Sequence, residues 1–228
     1  ISESLAYNLY AGFTIIGVGI GFYLSNVIQK PSFATIFVVV ASTLYVYATS
    51  LKQSLLIGNI IVALLLSFSL IMIGIFDLYP ATYEGNQSIM RLLFSILLDY
   101  AIFAFMINLI REIIKDLEDV NGDYNQGMKT LPIILGTERT AKLVFGLSFI
   151  PILSLMCYIN FYVFNSGLFL STIYGIIFIL TPMIYFTVKL WSAKKKSDFK
   201  HLSIVLKWVL LFGILSIAVI TYNMPHHA

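Results

Sequence analysis

The segment REIIKDLEDVNGDYNQGMKTLP, residues 111–132, concentrates charged side chains in a chain that is otherwise strongly apolar. It holds five of the eleven acidic residues and three of the fourteen basic residues. Four of its acids follow one another at intervals of four, three and four residues, which places them on one face of a helix. These acids are Glu112, Asp116, Asp119 and Asp123.

Two geometries are compatible with this spacing. Asn108 lies one turn earlier on the same predicted face, whereas Glu118 lies off it. The pair Asn121-Gly122 is typical of a helix end, which would instead place Asp123 on the turn after the helix. Either geometry keeps three aspartates near one point at the membrane surface.

Aligned carboxylates repel one another, and a hard divalent cation removes that repulsion. Mg²⁺ is commonly held by one or two carboxylates together with substrate phosphates. Arg111, Lys115 and Lys129 lie in the same segment and could contact phosphate oxygens. The segment therefore suits a magnesium diphosphate. The alternative is a solvated loop in which acids and bases pair with each other.

The composition predicts that the apolar parts of the chain on either side of residues 111–132 lie in lipid. Hydrophobic residues make up 59% of the 228 residues and charged residues 11%. A helix needs about 20 apolar residues to cross a bilayer. The sequence predicts an all-α, polytopic transmembrane helical bundle with seven spans, at residues 5–28, 33–51, 55–77, 89–110, 141–164, 168–190 and 203–222.

The positive charges predict the orientation of these spans. When the two sides of the membrane are alternated along the chain, twelve Lys and Arg residues fall on the side of residues 111–132 and two, Lys30 and Arg91, on the other. By the positive-inside rule the acidic segment faces the cytoplasm, and the C-terminal MPHHA lies on the opposite side. We expect an integral protein of the cell membrane.

The segment that begins at residue 111 resembles the second aspartate-rich motif of the UbiA superfamily of intramembrane prenyltransferases. That motif has the form D-x-x-D-x-x-x-D, followed by Gly, Lys and a Thr/Ser-Leu-Pro turn. The matching residues here are Asp116, Asp119, Asp123, Gly127, Lys129, Thr130, Leu131 and Pro132. The residues of this segment are most similar to those of the digeranylgeranylglyceryl-phosphate synthase branch, which prenylates a glycerol-phosphate ether lipid.

A second, less specific match lies in LYVYATSLKQSLLIGNIIVA, residues 44–63. It resembles the family's tyrosine and Leu-Lys stretch, followed by Gly-Asn at the start of the next helix. Tyr45, Lys52, Gly58 and Asn59 are the matching residues.

The resemblance covers essentially the whole chain, residues 1–228, which we interpret as a single transmembrane prenyltransferase domain. Family members have nine transmembrane helices and an earlier motif, N-D-x-x-D-x-x-x-D, which is absent from this sequence. We therefore expect a chain that lacks the first two helices, a longer native protein, and an isolated chain without activity.

The resemblance implies a mechanism and a set of roles. Mg²⁺, held on the diphosphate of an isoprenoid donor by Asp116, Asp119 and Asp123, helps the diphosphate to leave, and the acceptor captures the allylic cation. Lys52 and Lys129, and less specifically Arg111 and Lys115, would contact the diphosphate. Asn59 would line the cavity or cap its helix, and Asn108 would line the cavity.

The implied reaction is transfer of an isoprenoid group, most simply geranylgeranyl, to a prenylglycerol phosphate. The first alternative is an aromatic acceptor in quinone or pigment synthesis. The second is a membrane transporter or binding protein that captures cations, although the chain shows no repeated or interrupted helix pair. The expected partners are the prenyl diphosphate, the acceptor and membrane lipids, and no nucleic acid. The sequence leaves the oligomeric state open.

Overall fold

Long apolar stretches form helices here because a helix satisfies every backbone hydrogen bond within its own segment, as a bilayer requires. The computed structural model of the protein describes residues 2–223, and within them no β-strand occurs. The expected position of the C-terminal MPHHA lies outside the described residues. Seven helical segments in this part of the chain are long and apolar enough to span a membrane, which confirms the predicted fold.

These segments are Ser4–Val27, Pro31–Thr49, Ile57–Leu78, Gln87–Glu118, Thr137–Phe164, Phe169–Ser192 and Lys196–Asn223. The α-helices within and between them are α1 (Glu3–Val27), α2 (Ala34–Thr49), α3 (Ile57–Ile73), α4 (Gln87–Glu118), α5 (Val120–Asn125), α6 (Leu131–Leu135), α7 (Thr137–Tyr158), α8 (Phe169–Tyr174), α9 (Thr181–Ser192) and α10 (Lys196–Asn223). Short π-helical turns at Gly74–Leu78, Ile159–Phe164 and Gly175–Leu180 continue α3, α7 and α8.

The fourth span differs most from its predicted bounds. It continues eight residues beyond Ile110, and its 32 residues make a helix about 48 Å long, more than a bilayer core of about 30 Å requires. The extension stays helical because Ile113, Ile114 and Leu117 are buried on the packed side of the helix. The polar end of α4 is therefore held by packing after the apolar run has ended.

The chain divides into two compact units. The first contains residues 2–52 and Phe68–Asp99, and the second contains Gln53–Ser67 and residues 100–223. The second unit contains the acidic segment together with the start of α3 and the C-terminal part of α4.

The core of the second unit packs against the C-terminal part of α4. Its fully buried side chains come from α4, α7, α9 and α10. They include Ile107, Ile113, Ile114, Val144, Met183, Phe186, Leu190, Leu202, Leu206 and Val209. These contacts fix the helix end from which the acidic side chains project.

Side-chain hydrogen bonds join helices inside the second unit. The hydroxyl groups of Tyr100 and Ser216 lie 2.5 Å apart, and Thr187 donates to Ser148 at 2.9 Å. Polar contacts of this kind contribute to helix association where lipid supplies no hydrophobic driving force. They add to the van der Waals packing that positions α4.

In the first unit, one glycine permits close packing of α1 on α2. A Cβ atom at Gly21 would lie 2.1 Å from the ring of Phe37, so any larger residue must displace that ring. Gly17 and Gly19 have nothing within 4 Å of the same position. Of these three glycines, Gly21 is the one whose lack of a side chain permits the close approach.

We predict that Gly21→Ala destabilises the protein, because the added methyl group forces the Phe37 ring to move. Overpacking of this kind costs about 1–3 kcal/mol. Gly19→Ala is the matched control and should be neutral or slightly stabilising, since alanine is the better helix former. Thermal unfolding in detergent, followed by circular dichroism, measures both variants. Equal midpoints for the two would contradict the assignment.

Candidate active site

The acidic segment is divided between two helices. Helix α4 ends at Glu118, Asp119 adopts a non-helical backbone conformation (φ −112°, ψ 23°), and α5 begins at Val120. Asp123 therefore lies on α5. Both predicted positions are wrong, because Asp123 lies neither on a face of one continuous helix nor on a turn directly after α4. The predicted helix end at Asn121-Gly122 is wrong, because the break precedes these residues.

Gly122 has a different role from the predicted one. It lies inside α5, where a Cβ atom would come within 2.8 Å of a carboxylate oxygen of Asp119. A larger residue at this position would push the Asp119 side chain away. Glycine here permits the chain to fold back closely after the break.

The end of α5 is built around Gly127. This glycine has a positive φ of 69°, and the N–H groups of Gly127 and Met128 donate to the carbonyls of Tyr124 and Asp123 at 3.0 Å each. This is the hydrogen-bond pattern of a Schellman motif, which glycine favours because it has no Cβ atom. The motif reverses the chain immediately after Asp123 and returns it towards the protein.

The returning chain is then fixed to the turn before α3. The N–H of Lys129 donates to the carbonyl of Gln53 at 3.1 Å. Pro132 lies in the first turn of α6, where its missing N–H costs no helical hydrogen bond. The Lys129 side chain is exposed. Its backbone is therefore held in place while its ammonium group can reach a ligand.

Asn59 is the residue that holds the most buried of the three aspartates. Its side chain is 8% exposed, and its amide donates to a carboxylate oxygen of Asp116 at 2.8 Å. Asn59 is the third residue of α3, so it is not the cap of that helix. Of the two predicted roles, helix capping is therefore wrong, and the side chain lies against the acidic segment.

Asp116 is half-buried beside other negative charges. The carboxylates of Asp123 and Glu112 both repel it, with Asp123 the stronger of the two, while Lys115 attracts it. The structure thus brings Asp116, Asp123 and Asn59 together. An arrangement in which one partly buried carboxylate is repelled by a second favours a cation between them.

Glu112 is occupied by its own ion pairs. Its carboxylate accepts from Lys115 at 2.8 Å and from Arg111 at 3.3 Å, and its side chain is 10% exposed. Two of the four cations predicted to contact diphosphate, Arg111 and Lys115, are therefore held by a buried acid. The Nε atom of Arg111 and the hydroxyl of Thr130 are buried without a hydrogen-bond partner in the described part of the chain.

Asp119 is the most exposed of the predicted metal ligands. Its side chain is 60% exposed and lies 3.4 Å from the ammonium of Lys196, which is itself 69% exposed. Exposed pairs of this length contribute little to stability. The contact was not predicted, although the alternation of spans placed the basic stretch of residues 193–200 on the same side as the acids.

For two predicted site residues, Asn108 and Lys52, the structure shows no contact with Asn59, Asp116 or Asp123 inside the unit to which each residue belongs. Asn108 is buried, but its amide donates to the carbonyl of Ala104 in its own helix at 2.9 Å. Lys52 is exposed in the short turn Leu51–Gln53 and belongs to the first unit. Their roles stay predictions.

The oxygen donors fit Mg²⁺ in their chemistry. Among residues 2–223, no group of three His, Cys, Asp or Glu side chains is arranged to hold a metal ion. Two neighbouring carboxylates, Asp116 and Asp123, match the one or two that Mg²⁺ usually takes when phosphates and water supply its other ligands. The arrangement is suited to a cation that arrives with a phosphorylated substrate.

Comparison with known proteins identifies the family of this chain. Residues 1–222 match the model of the UbiA prenyltransferase family. The chain belongs to this family. A comparison with solved structures found no significant match.

Several curated relatives in the family carry one name, digeranylgeranylglyceryl phosphate synthase. The protein of Methanobrevibacter smithii is 29% identical over 224 residues, which are 98% of this chain and 72% of that protein. The protein of Korarchaeum cryptofilum is 30% identical over 82% of this chain and 54% of its own length. The protein of Thermococcus gammatolerans is 40% identical over 48% of this chain and 37% of its own length.

The matched part of this UbiA-family chain spans about a third to a half of most of the first relatives. The activity, substrates and partners of the whole protein are therefore matters for proposal. The family itself, and the embedding in a membrane, follow from the match and the seven helices.

We predict that Glu112→Gln destabilises the protein, because Arg111 and Lys115 then lose their buried counter-charge. Breaking a buried pair typically costs about 3 kcal/mol or more, reduced here because Lys115 is partly exposed. Thermal unfolding in detergent should show a midpoint lower by roughly 5 °C.

The matched control is Glu138→Gln, which removes the carboxylate of an exposed pair with Lys142. Its midpoint should change by no more than about 2 °C, since exposed pairs contribute about 0–1 kcal/mol. A similar loss in both variants would show that burial of Glu112 has no special effect.

Proposed function

We propose that the protein containing this chain transfers a geranylgeranyl group from its diphosphate to a prenylglycerol phosphate, in a Mg²⁺-dependent reaction. The observation that supports this most is the group formed by Asn59, Asp116 and Asp123 in a UbiA-family chain. The acceptor and the donor are proposed from the name that the relatives share, digeranylgeranylglyceryl phosphate synthase.

In the proposed reaction, the bond between the donor's C1 and the diphosphate oxygen breaks, and its electron pair leaves with the diphosphate. The acceptor's hydroxyl oxygen forms a new bond to C1 and loses its proton. Bound Mg²⁺ would neutralise charge on the leaving diphosphate. The chain therefore needs groups that hold the charged leaving group and keep water from the allylic cation.

The contacts of each residue suggest its role in holding the cation and the diphosphate. Asp116 and Asp123 hold the cation, and Asn59 orients the Asp116 carboxylate through the hydrogen bond that it donates. Lys129 reaches the diphosphate from a backbone position fixed to Gln53. Arg111 and Lys115, kept in place by Glu112, add positive charge beside the site, and Lys52 is a further proposed phosphate contact. We assign Asp119 a weaker role in holding the cation because it is exposed and paired with Lys196.

We further propose that the site faces the cytoplasm of a cell membrane. Twelve of the fourteen Lys and Arg residues lie on its side in the predicted alternation of spans. A water-soluble diphosphate head would then approach from the cytoplasm, and the isoprenoid chain would lie among apolar helices.

We predict unequal effects for the three aspartates in the natural gene product, assayed in membranes with labelled geranylgeranyl diphosphate. Asp116→Asn and Asp123→Asn should each lower transfer by roughly 100-fold or more, because each removes a charge that stabilises the leaving group's counter-ion. Asp119→Asn should lower transfer by less than about tenfold, since exposed ion pairs are weak.

Asp77→Asn, in the π-helical turn after α3, is the control and should retain full activity. Expression of each variant is checked by immunoblot, so that a loss of protein is not taken for a loss of catalysis. Full activity in Asp116→Asn would reject the proposed metal site. A larger effect for Asp119 than for Asp116 would reject the division of roles.

The acceptor is tested with the same membranes, given geranylgeranylglyceryl phosphate or 4-hydroxybenzoate. We predict product from the first acceptor only, complete loss of product with a chelator, and recovery on addition of Mg²⁺. Product from the aromatic acceptor alone would support the alternative acceptor class while leaving prenyl transfer intact. Failure of the chelator to stop the reaction would contradict the magnesium proposal.

A further inference from the structure

The first unit contains a cleft of about 570 Å³ that the proposed reaction does not use. The π-helical turn Gly74–Leu78 and the first turns of α4 form much of its wall. A volume of this size is within the range of small-molecule sites. Single π-helical turns occur frequently at functional sites.

The lining of the cleft changes from polar to apolar along the helices. Thr82, Gln87 and Arg91 line the part near the helix ends, whereas Gly74 and Phe94 line it further along α3 and α4. Phe94 lies seven residues into α4 from Gln87, a rise of about 10 Å. The cleft thus has a polar mouth and an apolar interior, which matches a ligand with a polar head and an apolar tail.

Gly74 maintains the apolar part of the cleft. A Cβ atom at Gly74 would lie 2.6 Å from the Phe94 ring, so the π-helical turn and α4 approach closely there because the residue is glycine. The ring closes the inner part of the cleft. Aromatic contacts of Phe33 with Phe76 and Tyr79 support the opposite wall.

The charges at the mouth favour an anion. Arg91 is exposed and has no hydrogen bond or ion pair with any described residue, and the ammonium of Lys30 lies 6.0 Å from the ring centre of Tyr79, which lines the cleft. Lys30 and Arg91 are the two basic residues that the predicted topology places on the side of the membrane opposite residues 111–132. The acids on the same side, Asp77 and Glu84, do not line the cleft.

The start of α4 adds to this preference. Asn86 precedes the helix, but its side chain accepts from the N–H of Tyr83 and donates to the carbonyl of Ala81. It therefore does not cap the first turn of α4. The N–H groups of that turn favour negative charge nearby.

We propose that this cleft binds an anionic glycerophospholipid from the membrane. The phosphate lies at Arg91 with Lys30 beside it, and one acyl chain extends along Leu78 and Met90 towards Phe94. A lipid is the occupant that the polarity gradient favours, because a free phosphate would leave the apolar interior empty. The cleft belongs to the first unit, whereas Asp116, Asp119 and Asp123 belong to the second.

The test is native mass spectrometry of the full chain in detergent with added phosphatidylglycerol or phosphatidylcholine. We expect tighter binding of phosphatidylglycerol, and a roughly tenfold loss of that preference in the double variant Arg91→Gln, Lys30→Gln, since each cation near an anionic lipid contributes to affinity. The double variant Lys194→Gln, Lys195→Gln is the control for a general loss of positive charge and should keep the preference.

Two further measurements decide between occupants and sites. Gly74→Leu, which forces the Phe94 ring and the inner cleft to rearrange, should lower phosphatidylglycerol binding. The thermal unfolding midpoint of this variant, compared with that of the unchanged protein, separates a loss of lipid binding from a loss of fold. Inorganic phosphate at millimolar concentration should not displace the lipid. Equal binding of the two lipids, displacement by phosphate, or a larger effect of the Lys194, Lys195 control would each overturn the proposal.

Discussion

Asp116 is a half-buried carboxylate near the end of a long apolar helix, and Asn59 of α3 donates the hydrogen bond that holds it. A carboxylate in such surroundings is costly unless a polar partner satisfies it. The repulsion from Asp123 adds to that cost, and a cation between the two carboxylates would relieve it. The rest of the acidic segment keeps Asp116 and Asp123 close together. Packing of Ile113, Ile114 and Leu117 keeps α4 helical to its end, and the turn at Gly127 returns the chain towards the protein after α5.

The same end of α4 separates two kinds of charge by their surroundings. Glu112 is buried and neutralised by Arg111 and Lys115, so it acts as an internal counter-charge. Asp119 is exposed and pairs with Lys196. Asp116 and Asp123 lie between these extremes and are partly buried. The closeness of a second carboxylate to the partly buried Asp116 is the physical basis for proposing a cation and a diphosphate there.

The sequence predicted the membrane fold because its signal is redundant: seven apolar runs each have about the length that a bilayer requires, and no single residue decides any of them. The family resemblance of residues 111–132 predicted the correct family for a similar reason, since eight motif positions match together. The prediction failed in detail where one residue decides the backbone. The backbone leaves the helical conformation at Asp119, whose carboxylate lies close to Gly122, and residue spacing carries no signal for that break.

The amino-acid sequence by itself therefore determined the seven spanning helices and the family to which the chain belongs, and it predicts the side of the membrane on which positive charge accumulates. Hydrophobicity and charge are properties of residue types, so the sequence alone specifies them. They act through the lipid and the water that surround a membrane protein. Only the tertiary structure decided that Asn59 holds Asp116 and that Asp119 meets Lys196. These contacts join residues up to 77 positions apart, and their geometry depends on helix packing that no local pattern specifies.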